Sequence, residues 1–193
     1  MSLVLRRLGG ELAAFSFVPE KCSKFLCSGK TLAFGIPAIC HLLKSHTKHV
    51  KSTVSVLVVA PTRELALQTH DTLTSLGAPF GIASVAVFGG VPKEPQVKML
   101  KNASKGKDGM TTKIIVGTPG RILDLMQEGA CDLSGFVVLL SQVSLCRSDH
   151  YFRVDYLVLD EADRMLDKGF ENDIRTIISS TRSSEHRQTM MCK

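Results

Sequence analysis

The chain has 193 residues and a formal net charge of +6. That length suffices for one well-cored domain and is too short for two domains of ordinary size. No apolar run approaches the length that spans a bilayer, so we expect a soluble protein without a membrane partner. The six cysteines show no paired metal-ligand spacing, which favours reduced thiols in an intracellular compartment. A modestly basic surface suits a polyanionic partner.

Residues 1–27 form an atypical N-terminal segment. Basic residues interrupt its apolar start at 3–8 and no long hydrophobic region follows, which argues against a secretory signal. The segment has no periodicity that fits the approach to a nucleotide site. We interpret it as a loosely attached arm, or as the product of an altered gene model or splice form.

A candidate phosphate-binding loop follows, with the sequence Ser28-Gly29-Lys30-Thr31. It leads into an apolar run over 32–39 that predicts a helix with a kink at Pro37. A loop that wraps phosphate needs inward-pointing backbone N–H groups, a lysine for the β- and γ-phosphates and a hydroxyl for the metal. Lys30 and Thr31 fit the last two roles.

Two buried strands are predicted next, over 55–60 and 82–88. The first ends at a proline and is followed by a helix from Arg63 to about Leu76. Arg63 taken alone indicates no more than a solvated helix start. The second strand turns at Gly89-Gly90, a pair that can admit a sugar-phosphate backbone but is more often a simple turn.

A third strand is predicted at 113–116, and the helix after it begins within Gly117-Thr118-Pro119-Gly120-Arg121. The N-terminus of a helix offers unpaired N–H groups, so Thr118 and Gly120 can hold a phosphate while Arg121 adds positive charge. Contacts of this kind hold a nucleic acid by its backbone without reading its bases.

The fourth strand, within Val154–Asp163, ends abruptly in three carboxylates. Asp160 and Glu161 would stand at the mouth of a parallel sheet, where they could hold a hydrated Mg²⁺ and orient a water for phosphoryl transfer. Taken alone, Asp-Glu-x-Asp is more often a solvated acidic turn. Because strands alternate with helices and ligand residues follow the strands, we expect a three-layer α/β/α domain with a mostly parallel sheet.

The combination of these motifs resembles the DEAD-box RNA helicases, and the resemblance runs from about Ser28 to Met191. It implies the first of two RecA-like P-loop NTPase domains, with ATP and Mg²⁺ as cofactors and RNA as partner. It further implies a catalytic set of Glu161, Asp160 and Lys30, in which Asp160 and Thr31 contact the metal and Glu161 polarises the attacking water. The loop Ser28–Thr31 would bind the nucleotide. The implied RNA contacts are Thr62, Arg63, Gly90, Thr118, Gly120 and Arg121.

The chain departs from the family pattern in several places. Cys27 stands where the family has a glycine, and a Cβ there costs energy if the glycine adopts positive φ or lets the backbone approach the phosphate. Residues 136–153 form an insert that the family lacks, for which we hypothesise a retained intron. The helicase domain, 28–193, stops before the Ser-Ala-Thr motif, and the second domain with its arginine finger is missing.

By resemblance the function is that of an ATP-dependent RNA helicase, in which ATP hydrolysis is coupled to RNA binding and unwinding. An arginine finger contributes about 10³–10⁵ in rate, so we expect the present chain to be inactive as a helicase. The alternatives are a non-catalytic isoform that binds RNA or nucleotide or competes for partners, and a non-functional splice product. The resemblance to members acting in ribosome assembly implies the nucleus or nucleolus.

Overall fold

The computed structural model of the chain describes residues 26–45, 54–101, 111–131, 154–181 and 187–192. The N-terminal segment up to residue 25 and the predicted insert at 136–153 lie outside these ranges. In the described part of the chain, no helix combines the length and the apolar character needed to cross a membrane.

Helices and strands alternate along the chain. The helices are α1 (Leu26–Ser45), α2 (Arg63–Gly77), α3 (Glu94–Lys101), α4 (Pro119–Gln127), α5 (Ala162–Asp167) and α6 (Glu171–Ser180), with a 3₁₀ turn at Ala78–Phe80. The strands are β1 (Val56–Val59), β2 (Ile82–Val87), β3 (Thr111–Gly117), β4 (Tyr156–Leu159) and β5 (Gln188–Met191).

The strands form one sheet in the order β2-β3-β1-β4-β5, and every pairing in it is parallel. The predicted parallel sheet is therefore confirmed. The pairing register places the last residues of all the strands in one row, namely Val87, Gly117, Val59, Leu159 and Met191. The loops that follow the strands thus leave the sheet at a common edge.

Alternate residues of each strand point to opposite faces of the sheet. In β1, Val56 and Val58 pack with buried side chains of α1 and α2, including Phe34. Leu57 and Val59 belong instead to the cluster that contains buried side chains of α3 to α6. The predicted three-layer α/β/α architecture is confirmed, because each sheet face has its own core.

Gly117 ends β3 at a point where no side chain fits. A Cβ built there would lie 2.6 Å from the carbonyl oxygen of Val87 and 2.5 Å from its Cγ2 atom. Because a strand backbone yields only at high cost, we expect Gly117→Ala to lower the free energy of unfolding by about 1–3 kcal/mol, the usual cost of overpacking. Urea unfolding measures this change.

Gly120→Ala is the matched control for that experiment. A Cβ at Gly120 meets no atom within 4 Å, and the residue lies in the first turn of α4. Alanine is a better helix former than glycine, so this variant should be as stable as the parent or slightly more stable. Equal stability of the two alanine variants would show that the close approach at Gly117 is not maintained in solution.

The outer face of α1 is apolar as well as its inner face. A helix that is apolar all round is normally buried, yet Ile36 is 53% exposed and Leu43 is 37% exposed. The exposed side of α1 also carries Ala33, Pro37 and Cys40. We call this set the α1 outer stripe.

Candidate functional site

Most of the predicted site residues lie in the loops and first helical turns that follow the strands at the common edge of the sheet. The structure places Gly90 after β2, the segment 118–121 after β3, the pair 62–63 after β1, and the pair 160–161 after β4. The predicted RNA contacts thus share the β2-β3-β1 half, and the acidic residues follow the next strand. Since neighbouring strands lie about 4.8 Å apart, the two groups adjoin at β1 and β4.

Asp160 is buried at the end of β4, with 2% of its surface exposed. Its N–H donates to the carbonyl of Val59 over 2.9 Å, while its carboxylate oxygen Oδ1 has no hydrogen-bond partner. Burial and the neighbouring Glu161 charge raise the pKa of Asp160 to about 6, although the Lys30 ammonium opposes the rise. A buried carboxylate oxygen without a partner marks the place of a water or cation.

This carboxylate fits a hydrated Mg²⁺. In the described ranges, no group of three or more His, Cys, Asp or Glu side chains gathers to hold a metal. A metal at Asp160 would therefore share its coordination with water and phosphate oxygens, which is how Mg²⁺ is usually bound.

Glu161 has a left-handed backbone, with φ at +50° and ψ at +52°. Among the described residues it is the one non-glycine position with positive φ. Such a conformation costs about 1–3 kcal/mol and is typical of functional sites. Its carboxylate accepts a hydrogen bond from Arg164 over 2.9 Å, which directs the side chain along α5.

Lys30 lies close enough to Asp160 for their charges to interact, although it comes from α1. Its positive charge opposes the rise in pKa of both Asp160 and Cys192, the residue after β5, whose thiol pKa burial raises to about 12. The neighbouring Thr31 is buried, with 3% of its surface exposed. The structure therefore brings together Lys30 and Asp160, the two charges predicted for a phosphate and its metal.

The prediction that the phosphate-binding residues 28–31 form a loop is wrong in the conformation of their backbone. Helix α1 begins at Leu26, so Cys27, Ser28 and Gly29 have helical backbone where a loop was expected. Only the first-turn N–H groups of a helix are unpaired, and later ones bond to the carbonyl four residues back. A phosphate would meet the first turn of α1, unless that turn unwinds.

Thr62 and Arg63 have structural partners. The Thr62 hydroxyl accepts a hydrogen bond from the N–H of Leu65 over 3.2 Å and caps α2. The Arg63 guanidinium is exposed and lies 4.9 Å from the centre of the Phe88 ring. The cation–π contact joins the loop after β1 to the end of β2.

Gly90 and Gly120 present open backbone at the edge, whereas the N–H of Thr118 donates to the carbonyl of Val87 over 3.1 Å. A Cβ at either glycine would meet no atom within 4 Å, and Gly90 has φ at +80°. Thr118 begins α4 without a side-chain cap bond. These positions leave room for a phosphate beside the N-terminus of α4.

Arg121, a predicted RNA contact, bonds to several groups within the protein. Its side chain is 11% exposed and its Nε lies 3.7 Å from a carboxylate oxygen of Asp124. It donates to the Gln96 amide oxygen over 3.1 Å and to the Val91 carbonyl over 2.9 Å. The prediction missed Gln96, because a lone glutamine gives no sequence signal.

Comparison with known proteins agrees with this geometry. The sequence description of the DEAD/DEAH box helicase family matches residues 26–192. The chain belongs to the DEAD/DEAH box helicase family, as its motifs indicated.

Two similar curated proteins are each described as an ATP-dependent RNA helicase DBP3. The protein of Mycosarcoma maydis is 45% identical over 172 residues, and that of Saccharomyces cerevisiae is 46% identical over 164 residues. Each match covers 85% of this chain and 25% of the relative. The chain thus spans about a quarter of the length of these relatives.

Solved structures of the same family share the fold. A hypothetical ATP-dependent RNA helicase from Sulfolobus tokodaii matches with a TM-score of 0.60 and 29% identity, covering 85% of this chain and 37% of that one. A DEAD box protein from Methanococcus jannaschii matches with the same score and identity, covering 86% and 36%. The α/β/α domain is therefore RecA-like, as predicted.

Proposed function

We propose that this chain supplies the nucleotide-binding and RNA-binding surface of an ATP-dependent RNA helicase. The observation that carries the proposal is the buried Asp160 carboxylate at the sheet edge, whose Oδ1 has no hydrogen-bond partner and whose pKa burial raises and the nearby Lys30 charge partly lowers. Open backbone at Gly90 and Gly120 lies along the same edge. The relatives' description as ATP-dependent RNA helicases supports the same function.

The proposed nucleotide site uses few side chains. Asp160 would hold Mg²⁺ through Oδ1, and Lys30 would neutralise the β- and γ-phosphates of ATP. A bound Mg²⁺ supplies positive charge that stabilises the phosphoryl oxygens during transfer. Glu161, held by its left-handed backbone and by Arg164, would accept a hydrogen bond from the attacking water.

The proposed RNA site is the β2-β3-β1 half of the edge. Gly120 would donate its backbone N–H, and Thr118 its uncapped hydroxyl, to a phosphate at the start of α4. Arg63 would add a positive charge that is already exposed. Contacts to phosphate and sugar carry no sequence information, so binding would be tolerant of RNA sequence.

A polypeptide made of these 193 residues should bind without unwinding. Strand separation in the proposed mechanism needs two domains that close on RNA, and the described residues supply one. We expect no ATP-dependent strand release from a short RNA duplex. Release that depends on ATP would overturn this part of the proposal.

The RNA site is tested by titrating a fluorescent oligouridylate with the protein while following anisotropy. Arg63→Ala should weaken binding about threefold to tenfold and reduce the dependence on salt, because one phosphate contact is lost. Arg175→Ala removes the same charge from an arginine that is 73% exposed on α6, and it should bind as the parent does. Equal affinities of the two variants would contradict the proposed surface.

One observation favours a second candidate function, RNA binding without a response to nucleotide. Helix α1 extends through Gly29, so the loop that would cradle phosphate is not formed. RNA affinity that is unchanged by saturating ATP and Mg²⁺, together with no direct nucleotide binding, would establish this alternative.

A further inference from the structure

Gln96 is buried, with 5% of its surface exposed, and its side chain bonds to Phe88 and Arg121 at the proposed RNA-binding edge. Its amide oxygen accepts from the N–H of Phe88 over 3.2 Å, and its amide nitrogen donates to the carbonyl of Phe88 over 3.1 Å. The same oxygen accepts from Arg121. The side-chain amide of Gln96 thus bonds to both backbone groups of Phe88, the residue before Gly89, as the backbone of a neighbouring strand would.

Arg121 bonds to the backbone on the other side of the glycine pair. Its guanidinium bonds to the carbonyl of Val91, the residue after Gly90, and to Gln96 at the same time. A glycine pair loses more backbone entropy on ordering than any other pair. The two linked side chains restrain the turn from both sides. The backbone entropy of the glycine pair is therefore already lost in the free protein, and a ligand need not order the turn on binding.

The same network reaches Arg63. The ring of Phe88, whose backbone Gln96 holds, lies under the Arg63 guanidinium at 4.9 Å. The end of β1, the turn after β2 and the start of α4 are therefore connected through the Gln96–Arg121 pair. A shift of this pair would displace each predicted RNA contact at these places.

We propose that Gln96 and Arg121 are positioning residues that hold the Gly89-Gly90 turn in its RNA-binding form. Arg121 then acts through the turn and not as a ligand of phosphate, in accord with its 11% exposure. This inference rests on the proposed RNA binding. It distinguishes the residues that contact RNA from the residues that hold those contacts in position.

The test compares Gln96→Ala, Arg121→Ala and Arg121→Lys in the oligouridylate titration, at several salt concentrations. Lysine keeps the charge but cannot form the planar fork that reaches two acceptors. A positioning role predicts that Arg121→Lys loses affinity about as much as Arg121→Ala, about tenfold, with an unchanged salt slope. Gln96→Ala should show a similar loss. Lys98→Ala, on the exposed side of α3, should bind normally.

A phosphate ligand gives the opposite pattern. Arg121→Lys would then keep most of the affinity, and Arg121→Ala would lower the salt slope by about one. That result would overturn the positioning role. Gln96→Glu adds an internal check, because a carboxylate still accepts from Arg121 but cannot donate to the Phe88 carbonyl. Its affinity should fall between those of the parent and Gln96→Ala.

Amide hydrogen exchange without RNA separates this inference from the proposed function. In Gln96→Ala, the amide of Phe88 should exchange at least tenfold faster than in the parent, because its acceptor is gone. If the parent fails to bind RNA, the proposed function falls while the exchange result still decides whether the restraint exists. If the parent binds RNA and exchange at Phe88 is unchanged in the variant, the inference falls by itself.

Discussion

Replacing Asp160 with asparagine should abolish Mg²⁺-dependent nucleotide binding and yet stabilise the metal-free protein at neutral pH. The pKa of this carboxyl is about 6 in the folded protein against an ordinary value of 3.8. The folded state therefore holds more protons than the unfolded state between these values, and stability falls as pH rises through that window. Above pH 6 the full penalty is present, at most about 3 kcal/mol.

Asparagine carries no charge, so the variant lacks this pH dependence. Urea unfolding at about pH 4 and about pH 7.5 should show the parent losing stability at the higher pH relative to the variant. Asp163→Asn removes a carboxylate from an exposed position of the same motif, and it should not reproduce the gain. If Asp160→Asn is no more stable than the parent at neutral pH, the carboxylate is not destabilised by burial. If the variant keeps its Mg²⁺-dependent nucleotide affinity, Asp160 is not the Mg²⁺ ligand.

Lys30→Ala should lower the affinity for a fluorescent adenine nucleotide with Mg²⁺ by at least tenfold. A charge-assisted hydrogen bond contributes about 1.5–3 kcal/mol, and this lysine is the charge that α1 brings to Asp160. Cys27→Gly should raise the affinity severalfold, because glycine weakens the first turn of α1 and removes a Cβ from the expected loop.

Lys98→Ala is the charge-matched control for the nucleotide titration, since it removes an exposed lysine from α3. Circular dichroism should establish that each variant is folded. Saturable binding that Lys30→Ala leaves unchanged would place the nucleotide elsewhere. No binding by either the parent or Cys27→Gly would mean that the motif carries no nucleotide chemistry in this chain.

The strands were the most predictable part of the fold. A strand of a parallel sheet is buried on both faces and reads as a continuous apolar run. The predicted strand at 55–60 corresponds to β1 at Val56–Val59, and the one at 82–88 to β2 at Ile82–Val87. Helix α2 was also anticipated, from its apolar period and from the proline before it. The alternation of these elements sufficed for the α/β/α architecture.

The side-chain partners were not predicted. Arg121 was correctly placed at the start of α4, but its acceptors are on Gln96 and Val91, which come from an earlier helix and its preceding loop. Thr62 was assigned to phosphate, although the local geometry uses its hydroxyl as a helix cap. The Arg121 contacts join segments that are distant in sequence and that no local pattern links, whereas the Thr62 cap is a local contact that helix-capping preferences encode. The start of α1 differs for a related reason, since a motif indicates chemistry and not backbone conformation.

The α1 outer stripe also matters for how a cell handles this chain. Burying a large apolar side chain such as Ile36 or Leu43 contributes about 1.5–3 kcal/mol, so any surface that covers the stripe is favoured. During synthesis and refolding, chaperones that bind apolar segments and other copies of the chain compete for that position. We therefore expect the yield of refolded protein to fall as its concentration rises, because copies of the chain would associate through the stripe.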